Sequence, residues 1–354
     1  MDKFVGLMGR MLVGTLAGLL VAHAGWASSE LTGAQQQAVK SLQGKPVTFC
    51  VFDPVGAQGP AYANAKDYLL EARKWGLSPT LKAYTDERVA AEDLKAGQCD
   101  AVAITTLRTK QFNFFVGSLD AVGGVPDNDH MRSVLKTLSD PKMAPLMVNG
   151  NYEVAGVIPL GAVFVMVRDR AINSIEKAAG KKIAVLEWDK SQARMVQKLG
   201  AQPVASDITN FAGKFNNGQV DIIVAPAVAF KPLEIYRGLA DKGAIYRFPL
   251  AMMSASILIR RDRFPPEIGQ QLRSFVYTQI DRAFDYVAKE EKGIDARYWI
   301  DLNAADKAHY LEMMREARLS MTKDGDYDPR MMKLLKRVRC TRTPGLAECA
   351  LTDE

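Results

Sequence analysis

The sequence predicts an α/β protein built as two similar lobes, one after the other. Three observations carry that reading. Residues 180–226 run from G-K-K-I-A-V through a helix-like segment to L-G-A-Q-P-V, then through a second to N-N-G-Q-V-D-I-I-V-A-P. That is the strand, amphipathic segment, Gly turn and strand of a βαβ-type unit. The same vocabulary occurs earlier: Gly44-Lys45-Pro46-Val47-Thr48-Phe49-Cys50-Val51-Phe52-Asp53 aligns without a gap on Gly180-Lys181-Lys182-Ile183-Ala184-Val185-Leu186-Glu187-Trp188-Asp189, down to the closing aromatic-Asp. Finally, Gly97-Gln98-Cys99-Asp100 precedes A-V-A-I-T as Gly218-Gln219-Val220-Asp221 precedes I-I-V-A-P. With two lobes, the expected ligand site is the cleft between them.

The 354 residues suffice for two compact domains. At the start, Lys3 and Arg10 precede an apolar run at 11–22 and the small-residue patterns Ala22-His23-Ala24 and Gly25-Trp26-Ala27. About twelve apolar residues are too few to span a bilayer, so 1–27 reads as a cleaved secretory signal peptide and the expected location is the periplasm. Four cysteines fit an oxidising compartment and allow three pairings. In a doubly wound sheet of order 2-1-3 the strand holding Cys50 neighbours the one after Cys99, which predicts disulfides Cys50 to Cys99 and, locally, Cys340 to Cys349. The formal charge is +6, of which Lys3 and Arg10 less Asp2 supply +1. The remaining +5 is read as scattered surface charge plus a basic tail at Lys333, Lys336, Arg337 and Arg339, and not as a nucleic-acid site.

In chain order, 28–42 is a polar lead-in with a short helix. Strand 47–52 ends in D-P-V-G-A-Q-G-P and is followed by a helix with Ala61, Ala65, Tyr68, Leu69 and Ala72 on one face. A Gly-rich turn before a helix suits a polar ligand, because backbone N–H groups point into it. Its spacing is not that of a Walker loop. A strand at 80–84, a helix with Val89 and Leu94, and a strand at 101–104 follow, the last running into Thr105, Thr106, Leu107 and Arg108. Beyond the carboxyl end of a strand these are cleft candidates; the alternative for Arg108 is a surface helix position. The apolar run 154–167 is expected to cross into the second lobe and 254–260 to cross back, forming a hinge. Ile268, Leu272, Phe275, Val276, Ile280, Ala283, Phe284 and Val287 then trace one face of a single long bracing helix. A helix at 304–319, a D-G-D-Y-D loop at 324–328 read as a solvated turn, and a basic helix ending at Cys340 complete the chain. The loop is not an EF-hand, since Pro329 and Leu335 replace its Gly and Glu.

Catalytic signals are sparse. Beyond the signal only His130 and His309 remain, neither at a metal-ligand spacing, and G-x-S-x-G, zincin and dinucleotide motifs are missing. The carboxylates single out no pair, which leaves a glycosidase-like dyad open. The expectation is a non-enzyme without metal or cofactor.

R-A-I-N-S-I at 170–175, G-K-K-I-A-V at 180–185, L-G-A-Q-P-V at 199–204 and N-G-Q-V-D at 217–221 closing on Pro226 resemble the core signature of TRAP-type (DctP-like) periplasmic solute-binding proteins. D-E-R-V-A-A-E-D-L-K-A-G-Q-C-D at 86–100 and the long helix after Pro266 agree. The resemblance implies a two-lobed periplasmic-binding-protein fold (type II-like), each lobe a doubly wound sheet flanked by helices. It places lobe one at 28–155, lobe two with hinge strands at 156–255, and the crossover strand, bracing helix and helical tail at 256–354. It also implies closure on a small solute, usually an organic acid, and delivery to a membrane permease. The family's carboxylate-binding Arg falls at Ala184, a second Arg of some members at Phe164, and the Asn before the family's Pro at Ala225. Neither Ala nor Phe replaces a bidentate Arg. Either Arg108, Arg168 or Arg194 takes over, or the solute is larger and more apolar and meets aromatic walls at Phe164, Trp188 and Phe230. The expected ligand-binding set is Asp53, Thr105, Thr106, Arg108, Phe164, Ala184, Trp188, Asp189 and Pro226. The expected partners are a small-molecule solute and membrane transporter subunits, with an accessory role in an efflux or envelope complex as the alternative.

Overall fold

The computed structural model describes residues 32–74 and 77–354; the expected signal peptide at 1–27 lies outside the described residues. In lobe one, strands β1 (Thr48–Phe52), β2 (Thr80–Tyr84) and β3 (Ala101–Thr105) are parallel in the order β2-β1-β3. The helices Pro60–Lys74 and Glu87–Lys95 connect them. The second of these buries Ala90, Ala91 and Leu94, whereas Val89 is exposed. After the short β4 (Val148–Asn149), the long strand β5 (Tyr152–Val167) leads into lobe two. There β6 (Lys182–Leu186), β7 (Gln202–Ser206) and β8 (Ile222–Pro226) repeat the parallel arrangement in the order β7-β6-β8. Strand β9 (Ala244–Arg260) returns to lobe one, and β10 (Trp299–Ile300) pairs with its start.

The repeated words of the sequence have a physical reason. Asp100 Oδ2 accepts from the Thr48 N–H at 2.8 Å, and Asp221 Oδ2 accepts from the Lys182 N–H at 2.9 Å, so each Asp ties the third strand of its lobe to the first. The Gly of each G-Q-x-D has φ above +70° and lies under an arginine. A Cβ on Gly97 would come within 2.5 Å of Arg260, and one on Gly218 within 2.3 Å of Arg168. Those arginines are the ends of β9 and of the segment just after β5, and their N–H groups bond Asp100 O and Asp221 O, each at 3.0 Å.

The two long strands are antiparallel to each other from Tyr152 opposite Arg260 to Val167 opposite Ala244. The second half of β9 joins β3, and the second half of β5 joins β8. One hydrogen-bonded path, β2-β1-β3-β9-β5-β8-β6-β7, therefore runs through both lobes. The return strand begins ten residues before the expected 254, because Arg247 and Pro249 interrupt its apolar pattern. Both strands pass through the 155/156 and 255/256 positions without a break. Register shifts at Val154/Gly156, Pro159/Gly161, Val163/Phe164 and Phe164/Met166 bend β5 where it passes between the lobes.

The expected single bracing helix is interrupted. Pro266–Thr278 and Ile280–Lys292 meet at Gln279, although the apolar face continues through both. They lie directly on β5: a Cβ on Gly156 would reach Val276 at 2.7 Å, and one on Gly161 would reach Val287 at 2.4 Å. The C-terminal helices strap the lobes together. In Ala304–Lys323, Tyr310 packs on Tyr246 of lobe two, and Arg318 donates to Val122 O and Gly123 O of lobe one. In Pro329–Arg342, Met331, Met332 and Leu335 enter the core of lobe one.

Two expectations for this region are corrected. Arg339 is not part of an exposed basic tail: it is buried, bonded to Glu348, Glu354 and Gly124 O. The loop at 324–328 is solvated only in part: Asp324 and Gly325 are exposed, but Asp328 is buried, with its N–H on Ser118 Oγ at 2.8 Å. The disulfides are Cys50 to Cys99, bridging β1 to the entry of β3, and Cys340 to Cys349.

Gly161 combines φ +95° with that close approach to Val287. Gly161→Ala is expected to lower stability by about 2 kcal/mol or more, from backbone strain plus overpacking. Gly150→Ala, at φ +57° with open space around it, serves as the strain-only control, at about 1 kcal/mol. Denaturant midpoints at unchanged m-value measure both, and equal losses would mean that the helix contact contributes nothing.

Candidate functional site

A cavity of about 550 Å³ lies between the lobes, at the carboxyl ends of the parallel strands. Strand ends place ligands there because the helix N-termini and connecting loops converge beyond them. Lobe one contributes Phe52, Asp53, Thr105 and Leu107, and lobe two contributes Leu186, Trp188, Asp189, Ser206, Ile208 and Pro226. The hinge strands supply Leu160, Val163, Met252 and Met253. Tyr286 enters from the bracing helices and Met321 and Tyr327 from the C-terminal strap, so most of the wall is apolar or aromatic.

Of the expected ligand set, Asp53, Thr105, Ala184, Trp188, Asp189 and Pro226 line this cavity, and Thr106, Arg108 and Phe164 do not. Several of the lining groups already have partners. Asp53 is 1% exposed, and its carboxylate accepts from the N–H groups of Val55, Ala61 and Tyr62 at 2.9, 2.7 and 3.1 Å. It caps the helix Pro60–Lys74, and a Cβ on Gly59 would come within 1.8 Å of it. The Gly-rich turn therefore aims N–H groups at Asp53, not at a ligand as its sequence implied. Asp189 does the same in lobe two, accepting from Ser191 and Gln192 at the start of the helix Lys190–Lys198. The repeated aromatic-Asp is thus a helix cap in both lobes.

Arg108 is turned away from the cavity. Its Nε donates to Glu87 Oε1 at 3.2 Å, its Nη2 lies 3.7 Å from Asp207 Oδ2, and its guanidinium stacks 4.4 Å from the Trp188 ring centre. Glu87 also accepts from Thr105 Oγ1 at 2.7 Å. Burial raises the Glu87 carboxyl, against the pull of Thr105 and Arg108. Glu87 and Thr105 belong to lobe one and Trp188 and Asp207 to lobe two, so Arg108 is a clamp across the cleft. Thr106 bonds Ser254 and Ser256 of β9, each at 2.8 Å. Phe164 is core, edge-on to Trp299 at 5.0 Å, and Phe230 likewise packs on Tyr298 at 5.9 Å. The other two arginines proposed as replacements are elsewhere: Arg168 faces Gly238 O at 3.4 Å, and Arg194 pairs with Asp326.

Lys110, Asp120 and Tyr327 are among the lining residues outside the expected set. Lys110 sits one turn beyond Thr106, its ammonium 5.6 and 5.3 Å from the ring centres of Phe114 and Tyr327. Burial lowers its pKa, while Asp189 and Asp326 pull it back up. Extending the strand-end rule by one helical turn would have found it. Asp120 accepts from Ser254 Oγ at 2.7 Å and from Ser254 N at 3.0 Å, and burial pushes its carboxyl up to about 7. Tyr327 accepts from Val122 N at 3.3 Å, and burial raises its phenol. Nothing local to Asp120 or Tyr327 marks them.

The sequence model of the solute-binding protein AdeT 1/2 family matches residues 73–354. The chain belongs to that family. It is 51% identical over 304 residues to the probable solute-binding protein AdeT1 of Acinetobacter baumannii, covering 86% of this chain and 100% of that protein. To AdeT2 of the same organism it is 27% identical over 237 residues, covering 67% and 100%. A TRAP periplasmic solute binding protein from Desulfovibrio salexigens with bound orotic acid superposes with TM-score 0.68 at 14% identity, covering 84% of this chain and 99% of that one. One from Rhodoferax ferrireducens with bound malonate gives 0.68 at 12%, covering 85% and 100%. This AdeT 1/2 family member is thus a solute-binding protein with the two-lobed TRAP-type fold.

Asp120 makes stability depend on pH in a defined direction. From the ordinary carboxylate range up to about 7, the unfolded chain ionises this group while the folded chain keeps it protonated. Its contribution to stability therefore falls as pH rises through that window and is level above it, by at most a few kcal/mol. Asp120→Asn is expected to flatten that part of the profile. Denaturation midpoints between about pH 4 and 8 measure it, and an unchanged slope in the variant would assign the titration to another group.

Proposed function

We propose that this protein is a periplasmic receptor that closes its lobes on a predominantly apolar small molecule and presents it to a membrane transporter. The observation that carries the reading is the cavity itself, set at the strand ends and apolar at Ala184, where the resemblance to TRAP receptors puts an arginine. The orotic acid and malonate of the structural neighbours are small acids. Arg282 also lines this cavity, but it is half exposed and paired with Asp67. A simple acid held by a buried arginine is therefore not the expected solute. The secretory pattern at 1–27 and the two disulfides support a periplasmic setting. No catalytic step belongs to this reading. An accessory role on a degenerate fold fits less well, because the cleft has stayed open and lined from both lobes.

Closure follows from differential affinity: a solute touching both lobes stabilises the arrangement in which Arg108 meets Trp188 and Asp207. Native mass spectrometry of protein taken from its own envelope is expected to show a co-purified solute. That solute, added back at about a hundred times its Kd, is expected to stabilise the stripped protein by about 2.7 kcal/mol. Ala184→Arg is expected to weaken that solute at least about tenfold by filling the cavity wall with a charge and to admit malonate. A protein with no bound solute, whose melting point moves with no compound screened, would end the receptor reading.

A further inference from the structure

We infer that the cavity takes an organic cation, an apolar body carrying a protonated amine whose counter-ion is Asp120. The inference rests on the receptor reading above and names the class of its solute. Three carboxylates line the cavity. Asp53 and Asp189 are held by helix N-termini, as described, and only Asp120 lacks such a partner. Both of its oxygens are satisfied by one neutral residue, Ser254 of β9, whose hydroxyl is in turn fixed by Thr106. Among the described residues no basic nitrogen lies within 4 Å of the Asp120 carboxylate, and no charged group offsets its burial. It lies deep in the molecule yet is part-accessible, and the surface it offers is the one facing the cavity.

A buried carboxylate without a counter-charge is unfavourable as an anion and gains most from a cation brought to it. The cations already present do not serve. The Lys110 ammonium feels Asp189 and Asp326 and sits against two rings, and Arg282 pairs with Asp67. An anionic solute would meet three carboxyl groups on the wall, and the arginine there is paired with Asp67. An amine meets Asp120 at one end, and aromatic and aliphatic side chains such as Trp188, Tyr286 and Met252 along the body. The hydroxyl relay from Thr106 to Ser254 holds the carboxylate on the hinge strand, so the charge contact forms where both lobes meet.

Four probes on one skeleton test it with the full mature chain: tryptamine, tryptophan, indole and indole-3-propionate. Calorimetric titration is expected to give tryptamine at least about tenfold tighter than indole-3-propionate. Its affinity should rise several-fold from about pH 6 to about pH 8 as Asp120 ionises, with a proton released on binding at the lower pH and little released at the higher. Asp120→Asn can still accept from the Ser254 N–H through its amide oxygen while its amide nitrogen donates to Ser254 Oγ, and it is expected to abolish both the amine preference and the pH dependence. Lys110→Met is expected to leave tryptamine affinity equal or improved, whereas an anion site would lose affinity. Indole-3-propionate or indole binding as well as tryptamine, or tryptamine binding Asp120→Asn unchanged, removes the cation while leaving the receptor standing. If no probe binds, a co-purified solute decides: one with a basic nitrogen supports the inference, and one without overturns it. With neither a probe nor a co-purified solute bound, both readings fall.

Discussion

The pairing of β5 with β9 is the constraint on which the rest of the molecule depends. Each strand is long enough to serve both lobes, and each gives its second half to a different one, β9 to β3 and β5 to β8. A ribbon of two strands joined along their length resists separation but bends where its ladder is irregular, and the irregularities of β5 cluster between the lobes. The two bracing helices press on that same stretch at Gly156 and Gly161. A larger residue at either position would push the helices off the ribbon. The geometry of the cleft is therefore set by backbone pairing and by two glycines, before any side chain of the cavity is considered.

What the sequence revealed of the fold is what local chemistry encodes. G-Q-x-D recurs because in each lobe an Asp must hold the first strand and a Gly must admit an arginine. The aromatic-Asp recurs because a strand must end in a cap for the next helix. These needs are met by residues near their targets in sequence or in a repeated register, so they leave a visible pattern. The start of β9 left none: Arg247 and Pro249 break the apolar run, and its membership of the sheet is decided by β5, about eighty positions earlier in the pairing.

The candidate site was less legible for the same reason. The strand-end rule pointed to the correct loops, but it could not say which side chains were already engaged. Arg108 was a natural ligand-gripping choice until Glu87, Asp207 and Trp188 are seen around it. A cation so placed lowers the penalty of burying Glu87 and joins the lobes, and it is no longer available to a solute. Phe164, at a position where the resemblance puts an arginine, and Phe230 could each serve as an aromatic wall or as core, and both lie in the core. Tyr327 reaches the cavity from a C-terminal loop whose sequence reads as a solvated turn, because its partners Val122 and Ser118 lie some two hundred residues upstream.

Ala184 is an apolar point of the cavity wall, where the resemblance to TRAP receptors implies an arginine. Removing an arginine from a binding strand while keeping its neighbours would leave an anion site merely weakened. Here Arg108, Arg168 and Arg194 are bonded elsewhere, and the wall carries Trp188, Leu186 and Met252. The carboxylate that is left without a counter-ion, Asp120, sits on the opposite lobe, tied to the hinge strand. On the inference above, the charge contact of this cavity is a negative one, on lobe one. On that inference, a solute that touches both lobes to hold them closed would have its charge selected by lobe one and its apolar body by lobe two.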